Sequence, residues 1–178
     1  MYIINTKFEG LKIIQQKKFG DSRGNLRETF KKKTIKWDNL IFDYATVSKK
    51  NVLRGFHFNS KFPQAKFVTV LKGKILDYVL DLRKKSKTFG KSFKIVLSED
   101  NCKSLYIPKG FAHAYYCFSN LNLIYYKLSD YYKPKYEDGI LWNDRNLKFM
   151  WPTNKPIIAE RDTKWGTFED FKNVYKGF

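Results

Sequence analysis

The sequence predicts an all-β fold, built as a sandwich or a barrel, because of two features. Short segments rich in Val, Ile, Phe and Tyr recur along the 178 residues, and turn residues separate them. No internal repeat, low-complexity tract or Pro/Gly/Ser-rich linker interrupts this pattern. We therefore expect a single domain over residues 1–178, long enough to bury about two thirds of its unfolded surface without disulfides or a structural metal.

The strand pattern is clearest in residues 65–83, which read AKFVTVLKGKILDYVLDLR. Two apolar runs meet at Lys72 and Gly73, where glycine can take the positive φ of a tight turn, and this predicts a β-hairpin. Further strands are expected downstream. Turn residues separate them at residues 99–101, 108–110 and 119–122.

The segment FAHAYYCFSNLNLIYYKL predicts a second hairpin, with its turn at residues 120–121. In that register Tyr126 lies opposite Tyr115. Both side chains share a face with His113, because side chains two residues apart on a strand point to the same side. The pattern therefore places His113 and Tyr126 in one cavity.

Only two short helices are expected. One lies around Lys33–Leu40. The other follows Thr167 in TFEDFKNVYK, and Thr167 is expected to be its N-cap because a threonine hydroxyl can accept a hydrogen bond from an unpaired N–H of the first turn.

The charge of the chain is strongly positive, but its distribution is not that of a nucleic-acid reader. The formal net charge is +18, and the lysines are scattered, with short clusters at Lys31–Lys33 and Lys84–Lys87. No helix-turn-helix, zinc-finger or Arg-rich element occurs. We interpret the charge first as a solvated basic surface and second as attraction for a phosphate-bearing small molecule. Nucleic acid is not an expected partner.

The cysteines and the hydropathy pattern suggest a cytoplasmic protein. Cys102 and Cys117 fit no metal-binding spacing, and no signal segment precedes the expected fold, so a reducing compartment is the natural expectation. No apolar run approaches the roughly 18 to 20 residues that span a bilayer. We expect a soluble protein without membrane contact.

Three kinds of chemistry are disfavoured by the residues. A histidine-rich metal site in a β-barrel needs two histidines one residue apart, and Asn59 occupies the second position after His57 in a chain with only two histidines. Neither cysteine sits at a recognisable helix N-terminus beside a histidine, which disfavours Cys/His nucleophilic catalysis. No glycine-rich phosphate loop occurs. We expect no metal and no cofactor.

A non-covalent acid–base set remains, and it consists of His57, His113, Lys66, Tyr126 and Asp162. A histidine can act as a base at neutral pH, particularly when a carboxylate orients its ring. A lysine can stabilise a developing oxyanion, and a tyrosine can deliver a proton. A lone histidine in a strand is more often a core residue, so spacing alone leaves both interpretations open.

Eight ordered motifs add a specific signal, and together they resemble the dTDP-4-dehydrorhamnose 3,5-epimerase family of nucleotide-sugar enzymes. The motifs span about residues 15–165 in the family's order. They read FGDSRGNLRETF, NVLRGFHFN, PQAKFV, VLDLRKKSKTFG, LYIPKGFAHAYY, YYKLSDYYKP, GILWND and WPTNKPIIAERD. The resemblance implies a cupin-like jelly-roll β-sandwich that forms a homodimer and acts on a nucleoside-diphosphate 4-keto sugar without a cofactor.

The resemblance also assigns roles to individual residues. His57 corresponds to the family's catalytic base, Asp162 to the carboxylate paired with it, Tyr126 to the opposing acid, and Lys66 to the lysine beside the C4 oxygen of the sugar. Ligand-contacting positions correspond to Phe19, Arg23, Glu28, Arg54, His113, Tyr131 and Glu137. The arginines suit a pyrophosphate because guanidinium groups donate paired hydrogen bonds.

This chain departs from the family pattern at several ligand-contacting positions. Tyr44 and Thr46 replace the Gln and Asn of a Gln-x-Asn pattern that contacts the nucleotide, so a base other than thymine, for example guanine, is slightly favoured. Asn59 replaces the usual Gln after the histidine, and Arg161 replaces a lysine before the final aspartate. Both thymine and guanine, hexose and heptose, and inversion at C3, C5 or both therefore stay open.

Two alternatives follow from the same residues. Within the fold, a 3,4-ketoisomerase would move the carbonyl of the sugar instead of inverting a carbon. From another class, a non-catalytic basic β-sandwich would bind glycan or nucleic acid. The second alternative is disfavoured because a binding module has no reason to keep a base, an acid and an oxyanion partner together. For the epimerase, a place in capsule or lipopolysaccharide sugar synthesis is expected.

Overall fold

The computed structural model describes residues 1–175 and 177–178, and in them two antiparallel sheets face each other as a jelly-roll β-sandwich. The all-β prediction is confirmed. The strands in chain order are β1 (Tyr2–Asn5), β2 (Lys12–Gln15), β3 (Lys18–Asp21), β4 (Gly24–Arg27), β5 (Phe42–Ser48), β6 (Leu53–Asn59), β7 (Lys66–Lys72), β8 (Lys74–Asp81), β9 (Ser92–Ser98), β10 (Lys103–Ile107), β11 (Phe111–Cys117), β12 (Asn122–Leu128) and β13 (Glu137–Gly139).

From β5 to β13 the chain passes from one sheet to the other after every strand except β8, which is followed by β9 in the same sheet. The larger sheet has the order β1-β2-β10-β7-β12-β5, the smaller has the order β13-β6-β11-β8-β9, and β3 and β4 form a separate hairpin. Short 3-10 turns lie at Pro134–Tyr136 and Glu160–Thr163, and helix α1 runs over Phe168–Tyr175. No helix in the described part of the chain is long and apolar enough to cross a membrane.

The main core lies between the sheets and is built from their inner faces. Val68 and Val70 of β7 pack with Val79 of β8 and Leu97 of β9. Each such side chain contributes about 1.5–3 kcal/mol on burial. A second cluster around Phe56 covers the outer face of the smaller sheet, so the central strands of that sheet are buried on both sides.

The hairpin predicted at Lys72 and Gly73 is wrong, because β7 and β8 belong to different sheets. The chain crosses from one sheet to the other at Gly73, which has the positive φ of +85°. A Cβ on this residue would lie 2.4 Å from the carbonyl oxygen of Leu121, so the crossing requires glycine. Hydrophobic alternation predicted both strands but carries no information on which strand each one pairs with.

The second predicted hairpin is wrong for the same reason. Strand β11 pairs with β6 and β8, whereas β12 pairs with β5 and β7. Tyr126 therefore lies opposite Tyr44 in its sheet and not opposite Tyr115. The shared cavity of His113 and Tyr126 is nevertheless confirmed, because the two rings meet across the sandwich with centroids 6.0 Å apart.

Of the two predicted helices, the one after Thr167 is confirmed over Phe168–Tyr175, and Lys176, the last residue of the predicted segment, lies outside the described residues. The Thr167 hydroxyl accepts a hydrogen bond from the Asp170 N–H at 3.2 Å, and the Asp170 carboxylate accepts one from the Thr167 N–H at 2.7 Å. This reciprocal pair is a capping box, with aspartate in place of the usual glutamate.

The helix predicted over Lys33–Leu40 is wrong, since that segment forms only turns. Ile35 packs against the outer face of the larger sheet, and Trp37 contacts Tyr106 with ring centroids 4.8 Å apart. A run this short does not repay the nucleation of a helix in isolation, so these contacts with the sheet decide its conformation.

Candidate active site

A cavity of about 350 Å³ opens between the two sheets. The smaller sheet contributes His57 from β6 and His113 from β11 to its wall. The larger sheet contributes Lys66, Tyr126 and Tyr44 from β7, β12 and β5. Groups that can accept and donate protons therefore line opposite walls of one cavity.

Strand periodicity explains why these side chains point inward. On β6, Phe56 and Phe58 belong to the outer cluster, so the intervening His57 points into the sandwich. On β7, Val68 and Val70 belong to the inner core, and Lys66 shares their face. The cavity thus replaces the apolar core at one end of the sandwich.

His57 forms a hydrogen-bonded pair with Asp162. The His57 Nε2 lies 2.8 Å from Asp162 Oδ1, and Asp162 is 1% exposed. The other carboxylate oxygen accepts the Gly55 N–H at 3.3 Å, and Oδ1 also accepts the Trp165 indole N–H at 3.2 Å. An ionised Asp162 requires a proton on Nε2 of His57, which leaves the Nδ1 lone pair free to act as a base.

The surroundings of Asp162 keep it ionised. Burial by itself raises the pKa of this carboxyl group, but the hydrogen bond and charge of His57, with the donors of Gly55 and Trp165, outweigh burial. The net effect holds the pKa of Asp162 below its ordinary value. The pair can therefore stabilise an imidazolium on His57.

Gly55 allows β6 to approach β11 closely beside this pair. Its φ is +117°, and a Cβ there would lie 2.5 Å from the carbonyl oxygen of His113. Any larger residue would push the two strands apart and move both histidines. The geometry of the site therefore requires the glycine that follows Arg54.

Lys66 is an ammonium group in a desolvated position. Burial lowers its pKa to about 8, although the negative charges of Glu137 and Asp77 oppose that shift. A charged amine held without full hydration interacts strongly with any anion that enters the cavity. Lys66 is therefore suited to stabilise an oxyanion formed on a bound ligand.

Asp77 is a functional residue that the sequence analysis missed. It is fully buried, and its Oδ2 lies 2.8 Å from His113 Nε2. Burial raises the pKa of Asp77, while His113 and Lys66 act against that shift. Asp77 falls on β8 in the same alternation as the core residues Ile75 and Val79, and a carboxylate at an inward position was the signal that could have identified it.

Tyr126 is buried on the wall opposite His57. It is 3% exposed, and burial raises its pKa well above the ordinary value. Its ring stacks on Tyr44 with centroids 4.8 Å apart. Because its pKa is raised, Tyr126 keeps its proton at neutral pH. Thr46 lies two residues beyond Tyr44 on β5, and its hydroxyl is 2.9 Å from the Tyr115 hydroxyl across the sandwich.

Glu137 and Arg161 form a charged pair at the mouth of the cavity, beside His57. The Glu137 Oε2 accepts hydrogen bonds from Arg161 at 2.8 Å and from the Tyr132 hydroxyl at 2.8 Å. Its Oε1 lies 4.0 Å from His57 Nδ1. Arg161 also approaches Asp162, with Nε 3.4 Å from Oδ1. Tyr132 was missed by the sequence analysis, although it adjoins the predicted Tyr131.

Most of the predicted site residues meet at this cavity. Those that line it are Tyr44, Thr46, Arg54, His57, Asn59, Lys66, His113, Tyr126, Glu137 and Arg161. Asp162 lies behind His57 and reaches the cavity only through it.

Four predicted ligand contacts do not line the cavity. Phe19 and Arg23 lie on the exposed β3–β4 hairpin, where Arg23 pairs with Asp21 at 2.6 Å. Glu28, just after that hairpin, pairs with Lys31 at 3.0 Å. Tyr131 is 60% exposed and contacts the cavity residue Phe42, with ring centroids 5.8 Å apart.

The described residues offer no evident metal site. Within residues 1–175 and 177–178, no group of three or more His, Cys, Asp or Glu side chains is placed to hold a metal ion. His57 and His113 are each committed to a carboxylate instead. The absence of a metal requirement stays a prediction.

A sandwich with a histidine–carboxylate pair on one wall of a cavity and a tyrosine and a lysine on the other offers the kinds of group that an isomerase can use. Known proteins identify the family. The sequence model of the family described as dTDP-4-dehydrorhamnose 3,5-epimerase matches residues 5–170. The chain belongs to this family and is an enzyme of the isomerase class.

Individual relatives agree over nearly the whole chain. The dTDP-4-dehydrorhamnose 3,5-epimerase of Methanothermobacter thermautotrophicus is 36% identical over 169 residues, 91% of each chain. That of Escherichia coli K12 is 35% identical over 177 residues, 96% of each chain. The crystal structure of dTDP-6-deoxy-D-glucose-3,5-epimerase from Legionella pneumophila in complex with dTDP-4-keto-L-rhamnose has a TM-score of 0.90 and 37% identity, and covers 94% of this chain and 93% of its own.

Proposed function

We propose that this protein inverts C3, C5 or both of a nucleoside-diphosphate 4-keto-6-deoxy sugar, with dTDP as the carrier. The observation that carries the proposal is the His57–Asp162 pair at 2.8 Å, with Lys66 and Tyr126 on the facing wall of the same cavity. A carbon next to a keto group is acidified, so a base, an oxyanion partner and an acid are the groups that its inversion needs.

The first step is removal of a proton from the carbon by Nδ1 of His57. The carbon acid lies roughly a dozen pK units above imidazole, a gap of about 16 kcal/mol, so the base alone is insufficient. The ammonium of Lys66 stabilises the negative charge that develops on the C4 oxygen. Asp162 stabilises the imidazolium that forms on His57.

The second step is return of a proton to the opposite face of the carbon. Tyr126 donates it from its hydroxyl, and the C–H bond that forms inverts the centre. His57 then releases its proton to solvent and the phenolate of Tyr126 takes one up from solvent, which resets the site. Because burial raises the pKa of Tyr126, the hydroxyl is protonated when the enolate forms.

The diphosphate requires cations beside the sugar pocket. Arg54 lines the cavity and uses its Nε to donate to Ser48 at 3.2 Å, which leaves its terminal nitrogens for a ligand. Arg161 lies at the same mouth. The net charge of +18 draws an anionic ligand toward the protein in general.

The nucleotide is assigned from the relatives. The curated relatives carry names that specify dTDP, and this favours thymidine over the expectation of another base drawn from Tyr44 and Thr46. Titration calorimetry with dTDP, UDP and GDP tests the assignment. We expect dTDP to bind most tightly, and preferential binding of GDP would contradict it.

Turnover of dTDP-4-keto-6-deoxyglucose tests the reaction itself. NMR spectra should show inversion at C3, C5 or both, with deuterium from D₂O at the inverted carbon, and activity should survive exhaustive chelation because no metal takes part. Migration of the carbonyl from C4 to C3 would support the ketoisomerase alternative. Binding without exchange or turnover would support the binding module.

The proposal includes a homodimer. The four residues of β1 are exposed, among them Tyr2, Ile3 and Ile4, and an apolar edge strand of this kind favours association. Phe19 and Arg23 of the β3–β4 hairpin also do not line the cavity of their own chain. In a two-fold dimer the hairpin of one copy supplies these contacts to the cavity of the other.

The cellular setting is proposed from chemistry. Cys102 and Cys117 are unpaired and buried, which suits the reducing cytoplasm. The product, an activated deoxy sugar, is a building block for glycosyl transfer, and capsule or lipopolysaccharide synthesis is the proposed use. A knockout strain should lack the corresponding sugar in its surface polysaccharide.

A further inference from the structure

Tyr44 has an unusual relation to the proposed acid, Tyr126. The two residues lie directly opposite each other on β5 and β12. Their rings stack with centroids 4.8 Å apart and planes 20° apart. The ring of His113 also approaches the Tyr126 ring, at 6.0 Å and 68°, from the facing sheet. Tyr126 is therefore held between a stacked ring and a facing histidine.

Tyr44 is itself supported by a row of aromatic rings. Phe42 lies 5.8 Å from Tyr44 on one side and 5.8 Å from Tyr131 on the other. Tyr131 at the outer end is 60% exposed, Phe42 is half-buried, Tyr44 is 36% exposed, and Tyr126 at the inner end is 3% exposed. The row therefore runs from the surface to the buried hydroxyl, and Tyr44 is its last member before the proposed acid.

We propose that Tyr44 is a positioning residue that fixes the ring of Tyr126 on the side of the sugar where the proton returns. The proposal rests on the function given above. Tyr44 then determines how often the enolate is protonated by Tyr126, which inverts the carbon, and how often by His57, which restores the starting configuration. Return without inversion uses the proton on His57, which exchanges with solvent and marks the retained carbon with deuterium.

The physical reason is the sensitivity of proton transfer to distance. A displacement of about 1 Å of a reacting group lowers a rate by about 100-fold. Without Tyr44, the ring of Tyr126 loses its stacked neighbour on the open side of the cavity, whereas His57 and Asp162 on the opposite wall keep their contacts. Deprotonation should therefore persist while protonation by Tyr126 fails.

The test compares deuterium incorporation with inversion at one carbon of dTDP-4-keto-6-deoxyglucose in D₂O. In Tyr44→Leu we expect inversion to fall about 10- to 100-fold and exchange to fall less than about threefold, so that the ratio of exchange to inversion rises at least about threefold. Tyr44→Phe keeps the stacked ring and should restore the wild-type ratio. Tyr44→Thr, a good strand former, serves as the second variant if Tyr44→Leu does not fold.

The matched control is Tyr125→Leu, which removes a ring from the adjacent position on the outer face of β12. The Tyr125 hydroxyl bonds Asp43 and lies outside the cavity lining, so the ratio should be unchanged. An equal fall of exchange and inversion in Tyr44→Leu and Tyr44→Thr, or no change in either of these two variants, would overturn the proposal. Absence of exchange and inversion in the wild type would instead contradict the proposed function.

Discussion

The two ring nitrogens of His57 have different surroundings, and this difference defines its chemistry. Nε2 faces the ionised Asp162 at 2.8 Å, whereas Nδ1 faces the cavity with Glu137 at 4.0 Å. The tautomer is thereby fixed with its lone pair toward a ligand. Lys66, on the opposite wall of the cavity, has a pKa that is lowered by burial.

Lys66 should give the enzyme an alkaline limit. Its pKa of about 8 lies below the ordinary value, so the ammonium loses its proton as the pH rises through 8 and can no longer stabilise the enolate. We expect kcat/KM to fall about tenfold per pH unit above that point, and Tyr126 does not cause this fall because its own pKa is raised. A pH–rate profile measures it.

Lys66→Arg supplies the comparison for the alkaline limit. An arginine stays charged to much higher pH, so the limit should move upward even if the rate is lower. An unchanged limit in Lys66→Arg would show that another group is responsible.

At the scale of elements, the close pairing of β6 with β11 controls the site. Gly55→Ala would place a Cβ 2.5 Å from the His113 carbonyl oxygen, in a conformation with φ of +117°. We expect a loss of about 3 kcal/mol or more in the free energy of unfolding, measured by urea titration.

The Gly55→Ala effect combines backbone strain at a positive φ with the steric clash of the new Cβ, and Gly24→Ala serves as a control for the strain alone. Gly24 has a φ of +133°, but a Cβ there would have no heavy atom within 4 Å. This control should show backbone strain alone, and hence a smaller loss. Equal losses in the two variants would contradict the role of the close approach between β6 and β11.

The sequence was informative about strands and less so about their partners. The alternation in residues 65–83 predicted β7 and β8 well, yet the pairing was wrong because both a hairpin and a crossing between sheets can follow Lys72 and Gly73. Thr167 predicted its helix because capping is local. The helix predicted over Lys33–Leu40 was wrong because contacts with the sheet, which are not local, decide the conformation of that segment.

For the site residues, too, the local pattern was informative and contacts between distant parts of the chain were not. Periodicity brought His113 and Tyr126 together for a reason that survived the wrong register, since both point inward in either pairing. The roles of His57, Lys66 and Asp162 came from the resemblance, because spacing alone cannot join residues that lie 105 positions apart in the chain. Asp77 was missed because its partner, His113, lies on another strand.

At the scale of the whole molecule, the separation of the β3–β4 hairpin from its own cavity argues for a shared site. We expect a dimer by light scattering. A mixture of inactive His57→Asn and weakened Arg23→Ala chains should regain up to about a quarter of the wild-type rate, because half of the dimers are mixed and each contains one intact site. A monomer, or a mixture without recovery, would contradict the shared site.

The central claim is that His57 is the base, and one measurement in D₂O tests it most directly. His57→Asn keeps a similar size and a hydrogen-bond donor but removes basicity, so deuterium incorporation and inversion of dTDP-4-keto-6-deoxyglucose should both fall by about two to four orders of magnitude. Binding of dTDP should persist because Arg54 remains. A folded His57→Asn protein, verified by circular dichroism, that epimerises at a near-normal rate would contradict the account.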